Sequence, residues 1–550
     1  MSERFAQLAL ALTPLIPALF AMLVAWRPTR AWCMRLAPLA FLPAFAAVLP
    51  QSSDIWLEGM LLGTHLSLDP VGRMFLLLSA VTWTVAAVFA RAWLADDPSR
   101  ATFFGLFFGA AAGNLGVCIA HDVASFYFLF ALMTFSVWGL VLHRRTPQAY
   151  RAGRVYIAFA VLGEAALLAA LLLIAASGVT QLADVPAAVA NSSARDVIVM
   201  LLLIGFGVKT GVIGLHVSLP LAYGATPAPG AAVLASAMIK AGLLGWLRFL
   251  PLGHDLPEWS MVFVVLGVAA AFYGVVVGLL QREPKVILAY SSVSQMGLIM
   301  IGVGAAFGGS EARALALPAV IAYALHHAFA KEALFLGEAV SRVARSRRWV
   351  LAGLALPAAA LAGAPFTSGA LAKHLLKDAV ALMQWTDVLS KVLAAAAVGT
   401  TLIMWRFMWC VWRAPAVAGP GAAAQLFVPW GVIIGVVLST GLLLHSPDVS
   451  LSSLVDAAWP VLLGTAAALW AAHRVGVSFH IPPGDILVPL ERALAAARKV
   501  SMPRIQRPNL PLSWPAGSVA RIERTLRSWN VVGLLLFLLL GLLFLLVAVP

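Results

Sequence analysis

The chain has 550 residues, of which 62% are hydrophobic and only 11% are charged, with a formal net charge of +14. Because soluble globular domains carry about 25% charged residues, so few charges cannot cover this much apolar surface, and a water-soluble protein is excluded. In a soluble protein this net charge would suggest nucleic acid as a partner, but in a membrane protein it indicates loops anchored on the cytoplasmic side.

Apolar runs long enough to cross a bilayer, about 20 residues each, occur sixteen times along the chain. The first run is too long for a signal peptide and lacks a small-residue cleavage site, so we expect a retained span. The chain is thus predicted to be an all-α polytopic membrane protein. The predicted spans are 6–26, 35–50, 70–90, 101–120, 123–142, 155–176, 197–215, 228–250, 260–280, 286–307, 314–337, 349–375, 390–413, 426–445, 458–473 and 530–549.

The loops between these spans alternate in charge. Connections after odd-numbered spans carry clusters of basic residues, such as Arg144, Arg145 and Arg151 after the fifth span, whereas the 51–69 loop after the second span has none. Positively charged loops stay in the cytoplasm. We therefore expect a multi-pass protein of the bacterial inner membrane, with its N-terminus and C-terminus on the periplasmic side.

A basic tail, residues 476–529, precedes the last predicted span. Within it, the apolar residues of 484–502 recur at helical spacing opposite Arg492 and Arg498, which predicts an amphipathic helix on the membrane or against a partner. A solvated linker helix is the alternative interpretation. Residues 503–515 are rich in proline and predict an extended connector.

Several ionisable side chains fall inside the apolar runs, where a charged group is costly unless it is paired or hydrated. Burial favours a neutral lysine and a nearby carboxylate favours a charged one, so a Lys–Glu pair that opens and closes releases and rebinds a proton, and histidines can bridge such groups. Buried ion pairs that only fix helix packing are the alternative. The residues are Glu164, Lys209, Lys240, His326, His327, Lys331, Glu332 and Lys373.

Proline and glycine interrupt two of the apolar runs, one after Lys209 and one before Lys373. Discontinuous helices at corresponding places in two halves of a chain indicate an inverted-repeat transporter with its site near the membrane midplane. Simple proline kinks are the alternative. The residues expected to break the helices are Pro220, Pro227, Pro229, Pro365 and Gly369.

Short motifs surround these charges and breaks. In chain order they are Gly207-Val-Lys209, His216 with Leu219-Pro220, Ala225-Thr-Pro-Ala-Pro229, Met238-Ile-Lys240-Ala-Gly242, LAYSSVSQMG at 288–297, His327-Ala-Phe-Ala-Lys331 and Leu361-Ala-Gly-Ala-Pro365. Together they resemble the antiporter-like subunits shared by respiratory complex I, Mrp-type cation/proton antiporters and energy-converting membrane hydrogenases. The likeness covers about residues 65–410.

The resemblance implies a fold of about fourteen core helices with two inverted repeats of about five helices, broken helices 7 and 12, and extra C-terminal helices. It also implies proton translocation along a central polar axis. By position, Lys209 matches the helix 7 lysine, Lys240 the helix 8 site, His327 and Lys331 the helix 11 sites, and Lys373 the exit-side site of helix 12. We add His216 and the remaining buried charges to the expected path.

A domain division follows from this resemblance. It comprises N-terminal transmembrane helices (1–95), a first inverted repeat (96–250), a second inverted repeat (251–415), C-terminal core helices (416–475), a cytoplasmic amphipathic segment and linker (476–529) and a terminal transmembrane helix (530–550).

Two positions depart from the family pattern. The family places a glutamate in helix 5, paired with the helix 7 lysine, but this chain has Ala131 there. Our hypothesis is that Glu164, one span later, replaces the missing partner of Lys209; an altered or uncoupled channel is the alternative. Glu332 is also unusual and is predicted to pair with Lys331.

The predicted function is that of a proton-translocating subunit of a multi-subunit complex, coupled to redox chemistry in partner subunits. The chain has no dinucleotide fingerprint, and Cys33, Cys118 and Cys410 are far apart, so no cofactor or metal site is predicted. The alternatives are an Mrp-type Na⁺/H⁺ antiporter subunit, the membrane coupling subunit of an inorganic-carbon uptake complex, and a structural scaffold. The expected partners are other membrane subunits, a peripheral cytoplasmic module, the lipid bilayer and protons or Na⁺, and not nucleic acid.

Overall fold

The computed structural model of the protein describes residues 3–49, 54–415, 423–444, 451–474 and 481–489. Within these ranges the chain is helical except for one short β-hairpin and the connecting loops. The prediction of an all-α polytopic membrane protein is confirmed. The predicted span 530–549 and most of the predicted amphipathic helix, residues 490–502, lie outside the described residues.

The N-terminal part contains one straight helix and one bent pair. Helix α1 (Glu3–Leu23) is followed by α2 (Arg27–Arg35), a 3₁₀ turn (Ala37–Phe41) and α3 (Leu42–Val48). The axis bends by 76° after α2, so the predicted second span is a bent pair of helices. Proline lacks the N–H that would continue the preceding hydrogen-bond ladder. Each of these short elements has a proline in its first two positions, namely Pro28, Pro38 and Pro43.

The loop after the second predicted span contains a β-hairpin that the sequence did not predict. Strands β1 (Asp54–Leu57) and β2 (Thr64–Ser67) pair antiparallel. The backbone N–H of His121 donates to the carbonyl of His65 (2.9 Å), and the N–H of His65 donates to Asp122 Oδ2 (2.8 Å). These bonds attach the hairpin to a distant interhelical loop.

The helices of the next part of the chain begin at capping residues. Asp69, Asp122 and Thr146 each accept a hydrogen bond from the backbone N–H three residues later, at 2.7, 2.7 and 3.1 Å. Such caps satisfy N–H groups that have no partner within a helix. The helices are α4 (Pro70–Trp93), α5 (Arg100–Ile119), α6 (Val123–Leu142), α7 (Pro147–Ala175), α8 (Val185–Asn191), α9 (Arg195–Thr210), α10 (Ser218–Ala225), α11 (Ala228–Val233), a π segment (Leu234–Met238) and α12 (Ile239–Phe249).

The remaining described helices include the longest one, α15, which has 35 residues. In chain order they are α13 (Pro257–Leu279), α14 (Pro284–Ala305), α15 (Gly309–Val343), α16 (Arg347–Ala362), α17 (Ser368–Ala379), α18 (Thr386–Arg413), α19 (Ala423–Leu444) and α20 (Leu451–Arg474).

The number of helices that can cross a membrane differs from the sixteen predicted spans. In the described ranges, 11 helices are long and apolar enough, or 12 if the bent pair counts as one span. The helix of the predicted seventh span, α9, has only 16 residues, the predicted twelfth span is divided into α16 and α17, and the apolar part of α19 is only Gln425–Gly441. The predicted sixteenth span lies outside the described residues.

The centre of the bundle is α14, which is buried along its whole length. It packs closely against α13 because glycines remove the side chains between them. A Cβ at Gly274 would lie 2.5 Å from the carbonyl oxygen of Tyr290 and 2.6 Å from the nitrogen of Ser294. Small residues allow membrane helices to approach with their backbones nearly in contact. This packing holds α14 rigidly beside the residues described next.

Candidate functional site

The first broken helix is interrupted between α9 and α10. Gly211, directly after α9, adopts the left-handed conformation (φ 80°) and donates its N–H to the carbonyl of Gly207 (2.9 Å). Helix α10 begins only at Ser218, and Pro220 lies within its first turn, where a missing N–H leaves no bond unmade. The expectation that Pro220 breaks the helix is therefore wrong, because the interruption begins upstream at Gly211.

A second gap follows between α10 and α11. Pro227 precedes α11 directly and Pro229 lies in its first turn, so both mark the start of a helix. The carbonyl of Thr226, exposed by the gap, accepts a hydrogen bond from Lys285 Nζ (2.9 Å) on α14. A neighbouring helix thus satisfies the backbone group that the gap leaves free, as membrane burial requires.

The second broken helix is interrupted between α16 and α17. Gly363 adopts the left-handed conformation (φ 86°), and Pro365 and Phe366 lie in the interruption, where Phe366 also has a positive φ of 62°. This conformation is rare for a bulky residue. Lys373 Nζ donates a hydrogen bond to the carbonyl of Ala362 (2.5 Å), the last residue of α16.

Lys209, in the last turn of α9, faces α6 and α7. Its Nζ donates to Tyr156 Oη (3.2 Å) and lies 5.5 Å from the ring centroids of Tyr156 and Phe130, so aromatic faces surround the ammonium group. Glu164 is buried on α7, about two turns after Tyr156, and interacts electrostatically with Lys209. In the described part of the chain no direct ion pair joins them, and Glu164 Oε2 has no hydrogen-bond partner.

A small cavity lies beside Lys209 and extends toward the helix that carries Lys240. It has a volume of about 30 Å³, and its walls include Tyr156, Tyr223 and Ile239. Most of its wall is apolar, and its polar side chains are Tyr156, Lys209, Ser218 and Tyr223. By volume it has room for roughly two water molecules. The cavity is therefore large enough to hold water beside Lys209.

Three buried basic residues meet in the centre of the bundle. Lys240 Nζ on α12 lies within hydrogen-bond distance of His327 Nδ1 on α15, and both residues are 0% exposed. Lys331, one turn further along α15, donates to the carbonyl of Leu288 (2.7 Å) and to Ser291 Oγ, both on α14. The cluster therefore connects helices α12, α14 and α15.

The neighbouring histidines of α15 point to different helices, because consecutive residues diverge by about 100° around a helix. His327 faces Lys240, whereas His326 Nδ1 lies 2.8 Å from Ser368 Oγ at the start of α17. Gly369 leaves room for this contact, since a Cβ there would lie 2.9 Å from His326 Cε1. Gly369 is the second residue of α17, so it lies in the first turn after the interruption.

Buried polar atoms without partners concentrate around this cluster. Glu332 does not pair with Lys331, contrary to the prediction, because the Lys331 ammonium group is bonded to α14. Buried polar atoms nearly always have partners, so this concentration indicates positions for internal water or a mobile proton. In the described structure they include His326 Nε2, His327 Nε2, Ser236 Oγ, Ser294 Oγ and both carboxylate oxygens of Glu332.

A large open cavity lies beside the second broken helix. It has a volume of about 730 Å³, and Lys373 is one of its wall residues together with Pro365 and Trp459. Lys377 and Asp456 also belong to its wall, where Lys377 Nζ forms an ion pair with Asp456 Oδ2 (2.8 Å). Lys373 is thus the member of the polar series that faces open space.

His216 lies apart from the other predicted path residues, in the interruption of the first broken helix. Its Nε2 is 3.2 Å from Asp485 Oδ2, which belongs to the basic tail. Tyr273 and Tyr290 donate hydrogen bonds to the same oxygen, at 2.7 and 2.9 Å. Both His216 and Asp485 are buried.

The sequence interpretation missed several members of these clusters. Tyr156 could have been found, because it lies at helical spacing from Glu164 on one predicted span. Ser291 lies in the motif at 288–297, but nothing local shows that it faces a lysine. The contacts of Ser368 and Asp485 could not be found from the sequence, since their partners, His326 and His216, are distant along the chain. Within the described ranges, no three His, Cys, Asp or Glu residues converge to hold a metal ion.

Comparison with known proteins identifies relatives over most of this region. The sequence profile described as the transmembrane part of NADH:quinone oxidoreductases and Mrp antiporters matches residues 120–404, which is more than half of the 550 residues. Hydrogenase-4 component B of Escherichia coli is 24% identical over 501 residues, which cover 84% of this chain and 73% of that protein.

Two further comparisons concern length and fold. An uncharacterized protein of Mycobacterium tuberculosis is 30% identical over 283 residues, 50% of this chain but only 44% of its own length. A subunit in the structure of the Mrp complex from Dietzia aligns with a TM-score of 0.70 and 22% identity, over 99% of this chain and 63% of that one. The last likeness shows the shared fold.

Proposed function

Because the chain belongs to the transmembrane family of NADH:quinone oxidoreductases and Mrp antiporters, we propose that it is a proton-translocating, antiporter-like subunit of a multi-subunit membrane complex. The observation that carries the proposal is the series of buried ionisable groups that runs from Lys209 through Lys240 and His327 to His326 and Lys373. A charged group at membrane depth is a functional site by default.

The path has three sections. Protons enter beside Lys209 and Glu164, whose electrostatic interaction stabilises the ammonium group. They cross the small cavity, with water as the carrier, to Lys240 and His327. A proton can pass directly between these two residues, because their nitrogens are within hydrogen-bond distance.

The exit section begins at His326. This histidine bonds to Ser368, and α17 then places Lys373 against the open cavity of about 730 Å³. The interruption of α16 exposes the Ala362 carbonyl to Lys373, so this hydrogen bond holds the ammonium group at the outlet. Since the loop charges place this end of α17 outside, the outlet faces the periplasm.

Two features support protons over Na⁺ as the transported ion. Na⁺ is a hard cation and prefers oxygen ligands, whereas the central cluster presents the nitrogens of Lys240, His327 and Lys331. Three groups that become positively charged on protonation would also repel a metal cation. The relatives include subunits named for both hydrogenase and Mrp antiport, so Na⁺/H⁺ antiport is the second candidate.

The two broken helices support the inverted-repeat division at 96–250 and 251–415. Each first half-helix ends at a glycine with nearly the same left-handed geometry, φ 80° at Gly211 and φ 86° at Gly363. Each interruption lies close to a path lysine, Lys209 or Lys373. Corresponding breaks in two halves are typical of inverted repeats.

Transport against a membrane potential needs a source of energy, about 2.3 kcal/mol per charge at 100 mV. The chain carries no redox motif, so partner subunits supply it: further membrane subunits and a peripheral cytoplasmic module. Hydrogenase-like or quinone-linked redox chemistry in those partners is the first candidate, and coupling to inorganic-carbon uptake is the alternative. We place the complex in the bacterial inner membrane, with both chain ends periplasmic.

The test is proton uptake by the purified complex in vesicles, driven by a potassium diffusion potential and followed with an internal pH dye. We expect Lys209→Ala to reduce uptake to the leak of protein-free vesicles while the complex still assembles. Arg27→Ala, at the exposed start of α2 and away from the path, serves as the control. Normal uptake by assembled Lys209→Ala would overturn the proposal.

A further inference from the structure

A short segment of the basic tail crosses the first broken helix. Residues 481–489 are described, and within them Asp485 is only 8% exposed. Its Oδ2 lies 3.2 Å from His216 Nε2, although 269 residues separate the two in sequence. The tail therefore closes over the interruption that follows Lys209.

The Asp485 carboxylate is surrounded by donors from several elements. Oδ2 accepts hydrogen bonds from Tyr273 and Tyr290, and Oδ1 accepts one from the backbone N–H of Ile486. Burial raises the pKa of Asp485, but the hydrogen bonds from His216 and Tyr273 outweigh burial, so the pKa lies below its usual value. The charged and titratable groups facing this site are His216 from the interruption, Tyr273 from α13, Tyr290 from α14 and Arg151 from α7.

The hydrogen bonds also define the tautomer of His216. The backbone N–H of Gly214 donates to His216 Nδ1 (3.3 Å), so Nδ1 is the acceptor and Nε2 carries the hydrogen that points to Asp485. A second proton can therefore bind only at Nδ1, and the resulting imidazolium charge would lie directly beside the carboxylate. An opposite charge at this distance stabilises the protonated ring.

His216 also lies close to the end of the helix that carries the entry lysine. A Cβ at Gly211, the residue that ends α9, would lie 3.9 Å from His216 Cβ. Lys209 is two residues before Gly211 on that helix. The alternating loop charges predict that this end of α9 faces the cytoplasm, the side from which protons would be taken up.

We propose that Asp485 is a positioning residue for the cytoplasmic proton inlet, where it holds His216 in the tautomer that accepts a proton at Nδ1 and stabilises the imidazolium before the proton passes to Lys209. This inference rests on the proposed proton transport. It makes the tail part of the transport path, in addition to any role in anchoring partner subunits.

The test compares the pH dependence of potential-driven proton uptake in the assembled complex. Asp485→Asn keeps the shape and one acceptor oxygen but removes the charge, so His216 loses its stabilised protonated form. At alkaline pH we expect uptake to decrease at a lower pH than in the wild type, with uptake near pH 6 little changed. Asp485→Glu should restore most of the profile, and Asp184→Asn, an exposed aspartate, should leave it as in the wild type.

Two further variants separate the possible outcomes. At alkaline pH, His216→Gln should lower proton uptake to the level of Asp485→Asn. The double variant should show no further loss of uptake. If Asp485→Asn does not assemble, Tyr273→Phe replaces it. Tyr273 donates a hydrogen bond to the oxygen of Asp485 that faces His216, so without it the carboxylate interacts more strongly with His216. At alkaline pH, uptake should then decrease at a higher pH than in the wild type. An unchanged profile in the assembled variant overturns the inference.

Lys209→Ala, measured in parallel, distinguishes the two proposals. If it abolishes uptake while Asp485→Asn keeps the wild-type pH profile, proton transport stands and the inlet role of Asp485 falls. If Lys209→Ala transports normally, the proposed function itself is wrong.

Discussion

Lys240 and His327 lie 87 residues apart in sequence, yet the ammonium nitrogen of the lysine is within hydrogen-bond distance of the histidine Nδ1, and neither side chain is exposed. Two basic groups in such contact cannot both be charged without strong repulsion. At most one of the two therefore carries a charge. In the proposed path, this pair is the central relay step.

His327→Ala removes the acceptor that faces Lys240. We expect proton uptake by the reconstituted complex to fall by at least about 100-fold, which is typical of losing a positioned proton donor or acceptor. His254→Ala provides the matched control, because His254 lies in the loop between α12 and α13, away from the proposed path. Equal uptake in the two variants would show that His327 serves packing alone.

Glu164→Gln tests the replacement of the family's helix 5 carboxylate, which is Ala131 here. The amide cannot stabilise the Lys209 ammonium through charge, so we expect uptake to fall by about tenfold. Glu311→Gln is the control, since Glu311 is exposed in the first turn of α15. Uptake by Glu164→Gln at the level of the control would mean that Lys209 works without this partner.

Lys373→Ala should lower stability as well as transport. The ammonium group bonds to the Ala362 carbonyl at the end of α16, where the helix dipole favours a cation. Because Lys373 faces an open cavity, the loss is about 1–2 kcal/mol, or a decrease of about 1–3 °C in the apparent Tm of the purified complex. Lys377→Ala, which removes an exposed ion pair with Asp456, should change the Tm less.

The hairpin β1–β2 should loosen as the pH falls. Burial, reinforced by the charge of Arg248, lowers the pKa of His121 to about 4. A base whose pKa is depressed on folding contributes stability above its unfolded pKa, about 6.5, and that stability is lost as the pH falls toward 4. We expect amide exchange in residues 54–67, corrected for intrinsic rates, to accelerate over this window.

His121→Gln is the control for the hairpin measurement. The variant keeps the backbone N–H that donates to the His65 carbonyl, but it cannot gain a proton. Its amide exchange should therefore vary little between pH 6.5 and 4. If wild type and variant respond alike, the pH effect originates elsewhere in the hairpin.

The predicted and observed elements agree best where the signal is local. Runs such as 123–142 and 260–280 became α6 and α13 with small changes at their ends, because hydrophobicity and capping residues act over a few neighbours. The position of the first break was wrong because Pro220 is compatible with the first turn of a helix. The break begins at Gly211, whose left-handed conformation ends α9. Glycine also occurs inside continuous membrane helices, so its presence in an apolar run does not predict a break.

The sequence by itself determined that the chain is a polytopic membrane protein, which residues are ionisable at membrane depth, and to which family it belongs. Composition and motifs are properties of the chain alone. Only the tertiary structure decided that Lys240 meets His327, that Lys331 bonds to α14 and not to Glu332, and that Asp485 reaches His216. These contacts join residues separated by tens to hundreds of positions, and they depend on how whole helices pack, which no local pattern records.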